Sequence, residues 1–445
     1  PVPHLYPLEA TNPCFIGSTR IASDLGLLTI AEMADSEAEY LAAVDGRVKG
    51  SAGVSFYPAS PAWKSRENTR VLRLVTKEGY TITATPDHRF FTPQGYVPLE
   101  DLQPGGQLLI QCAEGAWSRN YQLPNQAEMA EAIATMAQAG DRASRHTVTR
   151  VDFVKQYEHI PTHWSHDLGF VIGTLIGDGW LSPTSHSPTG MVFSKGNPEA
   201  LELVHSSMRT WFGAGHLAER EAVYQLTYGQ MPYRFFASLG VKAVPAHQKQ
   251  VPESIWQAPR PAVIGFLQGL FTADGSVNLN ERKRSCSIRL ASASMRLLQE
   301  VQLLLLNLGI ASRIRHRRPA GLRSMPDGKG GTREYAAHAD YELILDKSNR
   351  DTFLEKVGFI DPVKQDRARS FIYSKIRRSN CETFTATINR IEEAGQADVY
   401  DLSEPQTHSL IANGFVAHNC GEQWLGPYEN CCLGSVNLAQ HLGPD

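Results

Sequence analysis

"LGFVIGTLIGDGWL" (Leu168–Leu181) and "VIGFLQGLFTADGSV" (Val263–Val277) carry one pattern twice. The first places small residues at Gly169, Gly173 and Gly177 and then Asp178; the second places them at Gly265, Gly269 and Ala273 and then Asp274. Residues four apart lie on one face of a helix. A face stripped of side chains lets two helices touch backbone to backbone. Each glycine weakens an isolated helix by about 1 kcal/mol relative to alanine, so two helices bearing that cost at matching positions point to packing against each other. Their terminal acids, Asp178 and Asp274, are then expected to converge at one end of the seam.

The repeat extends beyond the helices. "VFSKGNPEALELVHSSMRTWFG" precedes "YRFFASLGVKAVPAHQKQVPESI", and "IRLASASMRLLQEVQLLLLNLG" precedes "DTFLEKVGFIDPVKQDRARSF", which sets Lys249 opposite Lys364. Two α/β repeats joined by a two-helix seam predict a pseudo-dimer within one chain. The chain has a net charge of −3, but residues 281–380 hold 21 Lys and Arg against 11 Asp and Glu, so that stretch carries +10 and the rest −13. A basic surface beside two converging carboxylates suits a polyanion and a hard divalent cation with oxygen ligands. Such a metal activates water for phosphodiester hydrolysis. The candidate polyanion-contacting residues, which the resemblance described next makes DNA-contacting, are Arg282, Lys283, Arg284, Arg313, Arg315, Arg317 and Arg318.

"LIGDG" and "LFTADG" resemble the paired motifs of LAGLIDADG homing endonucleases over roughly residues 161–378. The resemblance implies two ββαββ-type halves whose sheets straddle double-stranded DNA. It makes Asp178 and Asp274 the metal-binding and catalytic acids, with Mg²⁺ as the expected ion. It makes Lys249 of "KQVP", and Lys364 through the repeat, assisting lysines. A domain that has lost cleavage and only binds DNA is the alternative.

On either side of this middle the sequence reads as β. "TRVLRLVTKEGYTITATPDHRFFTPQGYVPL" alternates apolar and polar residues with glycine punctuation, and short strands return from about residue 383. Residues 114–160 are polar and Ala-rich, with a helix predicted over Gln126–Gln138. Cys14 opens the first β segment, Thr85-Pro86-Asp87-His88 lies within it, and "VYDLSEPQTHSLIANGFVAHN" closes the second, followed by Cys420.

This conjunction resembles the splicing domain of inteins, the all-β Hedgehog/intein (HINT) horseshoe. The fold class implied is therefore multidomain: a HINT splicing domain interrupted by an α/β (α+β) LAGLIDADG pseudo-dimer. The resemblance implies that Cys14 attacks the preceding carbonyl, assisted by Thr85 and His88. Cys420 then takes over the upstream segment, with Asp401 tuning the thiols. Asn419 cyclises with help from His418 and His408. No cofactor is expected for splicing. A Hedgehog-type domain that cleaves without ligating would lack Asn419 and Cys420.

Removing residues 14–419 joins Asn12-Pro13 to Cys420-Gly421-Glu422. This junction resembles the "N-P-C-G-E" segment of ribonucleotide reductase large subunits, in which the resemblance makes Asn12, Cys420 and Glu422 catalytic. The 39 flanking residues are expected to have no reductase activity alone. A reductase fragment carrying a merely structural insertion is the competing reading. The expected division is 1–13 and 420–445 as extein fragments, 14–113 and 381–419 as the splicing domain, 114–160 as connector and 161–380 as endonuclease.

At 445 residues, 42% hydrophobic and 20% charged, the composition is that of a multidomain globular protein. Seven cysteines without metal-ligand spacing argue against a disulfide framework or a zinc site. The sequence contains neither a signal-like start nor an apolar run of membrane-spanning length, so a cytoplasmic monomer without membrane association is expected.

Overall fold

The computed structural model describes residues 14–36, 39–143, 158–183, 188–280, 282, 285–326, 331–373 and 381–419. Two β-sheets at the ends of the chain enclose a helix-and-sheet middle. One sheet runs in the order Phe15–Ile16, Thr81–Ala84, Trp63–Thr76, Thr385–Asp401 and Gln107–Leu109. The two long strands, one from each end of the chain, cross as an antiparallel pair with several bulges. Bulges bend a strand and increase its twist.

The second sheet pairs the hairpin Ser409–Ala412/Phe415–His418 with Arg20–Ser23 on one side and Arg89–Thr92 on the other. Its turn is Asn413-Gly414, both with positive φ (44° and 79°). Asn-Gly is the preferred pair for a two-residue hairpin turn, because both central residues must adopt φ > 0.

The middle is built around helices His166–Asp178 and Arg260–Asp274. Ser165 caps the first by accepting the Leu168 amide, and Pro261 stands in the first turn of the second. Each helix ends at a glycine, Gly179 or Gly275, that begins a strand. Two four-stranded antiparallel sheets follow, one per repeat. The first is Gly179–Leu181, Thr189–Ser194, Val223–Tyr228 and His216–Glu219. The second is Gly275–Asn280, Ser285–Ser292, Asp340–Leu345 and Arg313–Arg318. The helix in the segment between β-rich domain and middle runs Gln126–Ala143, five residues beyond the predicted end, and continues through Gly140. Trp117, Leu123 and Met129 join the core of the middle domain.

The outer β-rich domain has its own sheets and core, and it also shares packing with the middle domain. Leu306 and Ala311 of the middle domain belong to the β-rich domain's core. Leu306 lies so close to Gly414 that a Cβ there would meet its Cδ2 at 2.5 Å. The turn at residues 78–80 is clamped as well: Glu78 O accepts Ile314 N–H (2.8 Å) and Gln302 Nε2 (3.1 Å), and Tyr80 Oη accepts Ser312 N–H (3.3 Å). Arg20 pairs with Glu253 at 2.7 Å and lies 3.8 Å over the Trp256 ring. The two domains therefore share buried surface. Leu306→Ala is expected to cost about 2–5 kcal/mol. Urea unfolding read through the β-rich domain tests this, and an unchanged midpoint contradicts it.

Candidate functional site

Strand register assembles the first site. Phe15 pairs at once with Ala84 and with Tyr400, both antiparallel. One step back along Phe15's strand and one step forward along its partners brings Cys14 beside Thr85 and Asp401. Cys14 N–H donates to Thr85 Oγ1 at 3.0 Å, and Thr85 N–H donates to Cys14 O at 3.0 Å. The turn closes with His88 N–H on Thr85 O (3.0 Å), and the His88 ring lies 3.9 Å from that of Phe15. Cys14, Thr85, His88 and Asp401 are all buried. Burial, with the Asp401 carboxylate adding to it, pushes the Cys14 thiol up to about 12, while Ser65 and Arg66 oppose the rise. Neither Ser65 nor Arg66 was a candidate from sequence, since strand alternation alone does not mark them.

The second site sits at the end of the hairpin. Phe90, two residues after His88, pairs with Ala417, so the strand leaving the first site delivers the last two residues of the second. The His408 and His418 rings stack at 6.2 Å and 17°. Tyr96 meets His418 edge-on at 5.0 Å, a contact the sequence did not single out. Burial lowers the His418 pKa, as do Arg89 and His408, which favours the neutral ring. Asn419 is fully buried; its Nδ2 donates to Leu402 O (3.4 Å) and Glu404 O (3.3 Å).

The third site lies at the helix seam. A Cβ on Gly173 would sit 2.0 Å from Phe266 O, and one on Gly269 2.2 Å from Phe170 O. Only glycine permits that approach, as the repeated small residues predict. Asp178 and Asp274 end the two helices. Burial pushes Asp274 up to about 6, with Asp178 as the second cause; burial also raises Asp178. Lys249 and Lys364 moderate both shifts. Lys249 Nζ donates to Ile176, Gly177 and Gly179 O (2.6, 3.0 and 3.2 Å), and Lys364 Nζ to Thr272 O (2.7 Å). The repeat thus gives each lysine the same place, against the final turn of its own seam helix. Both lysines are lowered, chiefly by burial.

Among the described residues no cluster of three or more His, Cys, Asp and Glu is placed to hold a metal. The donor set is two carboxylates beside helix-end carbonyls. Two neighbouring acids at the helix ends, of which Asp178 raises Asp274, fit a hard divalent ion, which relieves their repulsion.

The candidate nucleic-acid face is less concentrated than the sequence suggests. Arg313, Arg315 and Arg317 alternate with buried Ile314 and point outward, but they pair with Asp346 (2.8 Å), Glu342 (2.6 Å) and Asp340 (3.3 Å). A bulge between His316 and Arg318 leaves Arg318 exposed as well. Arg282 lies exposed in the turn before Ser285–Ser292. Alternation in the facing strands also exposes Asn278 and Asn280, which charge counting missed. Lys283, Arg284, Asn12, Cys420 and Glu422 lie outside the described residues.

Residues 261–358 match the family model described as a LAGLIDADG-like domain. Over 465 aligned positions the chain is 28% identical to ribonucleoside-diphosphate reductase NrdEB subunit alpha of Bacillus subtilis (strain 168), a match that takes in 98% of this chain and 40% of that protein. Coverage this complete includes the interior as well as the flanks. The chain is an intein with a LAGLIDADG domain, inserted in a ribonucleotide reductase large subunit. The intein and its flanks span less than half of that relative's length. Two solved structures are also similar to parts of it. A DnaB intein from Synechocystis sp. PCC 6803 is 21% identical, covers 22% of this chain and 68% of its own, and has a TM-score of 0.20. I-DmoI in complex with DNA and Mn is 16% identical, covers 43% and 96%, and has a TM-score of 0.29. No helix among the intein's described residues is long and apolar enough to cross a membrane.

Proposed function

We propose that residues 14–419 excise themselves and ligate their flanks, and that the middle domain cuts double-stranded DNA at the intein's insertion site. The observation that carries the first part is the hydrogen bond from Cys14 N–H to Thr85 Oγ1. That nitrogen belongs to the peptide bond to be broken. Thr85 fixes it while Cys14 Sγ attacks the Pro13 carbonyl; the C–N bond gives way to a thioester, and His88 protonates the leaving amine. Cys420 Sγ next attacks the thioester, Cys14 leaves as thiol, and the upstream segment is now carried on Cys420. Asp401, across from Cys14, steadies the protonated thiol until attack.

Asn419 then turns its Nδ2 on its own carbonyl, forming a succinimide and breaking the bond to Cys420. His418, kept neutral by burial, accepts a proton, and His408 holds its ring. An S-to-N shift at Cys420 restores an ordinary peptide bond. The proposed domain limits are 14–113 with 381–419 for splicing, 114–160 as connector and 161–380 for DNA cleavage.

For the second part, Asp178 and Asp274 are the residues that would hold Mg²⁺. The ion supplies an activated water and charge neutralisation at phosphorus. Lys249 and Lys364 rest on the helix-end carbonyls and fix the ends from which the two acids project, one toward each DNA strand. Arg282, Lys283, Arg284, Arg313, Arg315, Arg317 and Arg318 supply phosphate contacts, which set affinity and salt dependence. The partners are DNA and the reductase flanks in cis, and a cytoplasmic monomer suffices.

The buried thiol gives a test of the first step. With its pKa pushed up to about 12, Cys14 stays protonated at neutral pH and its reactive fraction grows with pH. In an Asn419→Ala background, hydroxylamine release of the upstream flank should accelerate about tenfold per pH unit between about pH 6 and about pH 9. A plateau below about pH 8.5, the range of an ordinary thiol, contradicts the buried nucleophile.

A further inference from the structure

We propose that Glu404 is a positioning residue for the release of Asn419. The inference rests on the splicing reading and adds a residue to it. Glu404 is fully buried. Its Oε1 accepts Gln406 N–H at 2.7 Å; its Oε2 accepts Thr407 N–H at 2.8 Å and the Thr407 hydroxyl. Its main-chain carbonyl accepts His408 N–H at 3.2 Å. This is a single helical turn with Glu404 as its N-cap and Pro405, which lacks an N–H to leave unpaired, in the first position. His408 follows with φ 52°, the left-handed residue that ends such a turn.

The turn has a chemical consequence. The carbonyl that closes it, Glu404 O, is also an acceptor for Asn419 Nδ2 at 3.3 Å, beside Leu402 O at 3.4 Å. Asn419 N–H in turn donates to His408 O at 3.1 Å. One carboxylate therefore sets the nitrogen that must attack, the backbone of the residue whose carbonyl is attacked, and the stacking of His408 on His418. A buried carboxylate is tolerated only when its oxygens are hydrogen-bonded; here three donors from the turn do this. Because the turn is short, the cap is a large share of what holds it, and cyclisation depends on near-attack geometry.

The test uses the full chain with its flanks, following two steps in one preparation. Thioester formation is read by hydroxylamine release of the upstream flank, and cyclisation by conversion of the branched species to free intein. Glu404→Ala should slow cyclisation about tenfold, so that branched species accumulates, and leave thioester formation within about twofold. Glu404→Asp, which keeps a preferred N-cap carboxylate, should restore cyclisation to within about threefold of the unmutated chain. Equal slowing of both steps by Glu404→Ala, unchanged cyclisation, or Glu404→Asp as slow as Glu404→Ala overturns the proposal. An unmutated chain that never releases residues 14–419 fails the splicing reading instead.

Discussion

The double variant Cys14→Ala, Asn419→Ala remains one chain of full length through purification and prolonged incubation, with no free intein and no joined flanks. Cys14 is the thiol that the structure places against Thr85 and Asp401, and alanine leaves no nucleophile at that position to displace the Pro13 amide. Asn419→Ala removes the carboxamide that lies between Leu402 O and Glu404 O. The single variants separate the steps. Cys14→Ala blocks the thioester and every species derived from it. Asn419→Ala allows the thioester and the branch on Cys420 but stops there. Both substitutions remove small buried groups, so each variant should unfold at close to the parental denaturant midpoint, which distinguishes lost chemistry from a lost fold. Joined flanks from the double variant would refute the assignment of both residues.

Asp178→Ala and Asp274→Ala each lower double-strand cleavage of DNA bearing the uninterrupted insertion site by at least roughly 10²–10³-fold, with Mg²⁺ present. Each acid is positioned by the same device. Its helix is held backbone to backbone against the other, and a lysine rests on its last carbonyls. Removing one acid leaves a half-site intact, so the variants are expected to nick one strand before losing both cuts. DNA affinity should hold steady or rise, because a negative charge has gone from beside the phosphates. A parent chain that binds this DNA tightly without cutting it would identify the domain as a DNA-binding remnant. Cutting that survives either substitution would place the chemistry elsewhere. Splicing should be untouched in both, since neither acid belongs to a splice site.

Much of this architecture was legible because the residues that carry it have no substitutes. Gly169, Gly173, Gly265 and Gly269 announce a helix seam by spacing alone, and the structure shows the carbonyls that exclude any larger residue. Asn413-Gly414 announces a hairpin for the same kind of reason. What the sequence hid is tertiary. The union of Cys14 with Thr85 and Asp401 depends on Phe15 pairing with two strands that lie far apart in the chain. Leu306 reads as one leucine among four in a row, "LLLL", and nothing local reveals that it completes another domain's core. Arg313, Arg315 and Arg317 looked like free charge because their acidic partners stand on a neighbouring strand or just past its end. Glu404 looked like a polar loop residue, and only its buried hydrogen bonds give it a place beside Asn419.

Intact-mass analysis of the unmutated chain after folding tests the central claim most directly. The account predicts two products: a 406-residue protein, residues 14–419, ending in a succinimide, and a 39-residue peptide whose fragmentation reads Asn12-Pro13-Cys420-Gly421-Glu422. A chain that stays whole under folding conditions, or one that falls into pieces without the joined peptide, would contradict it.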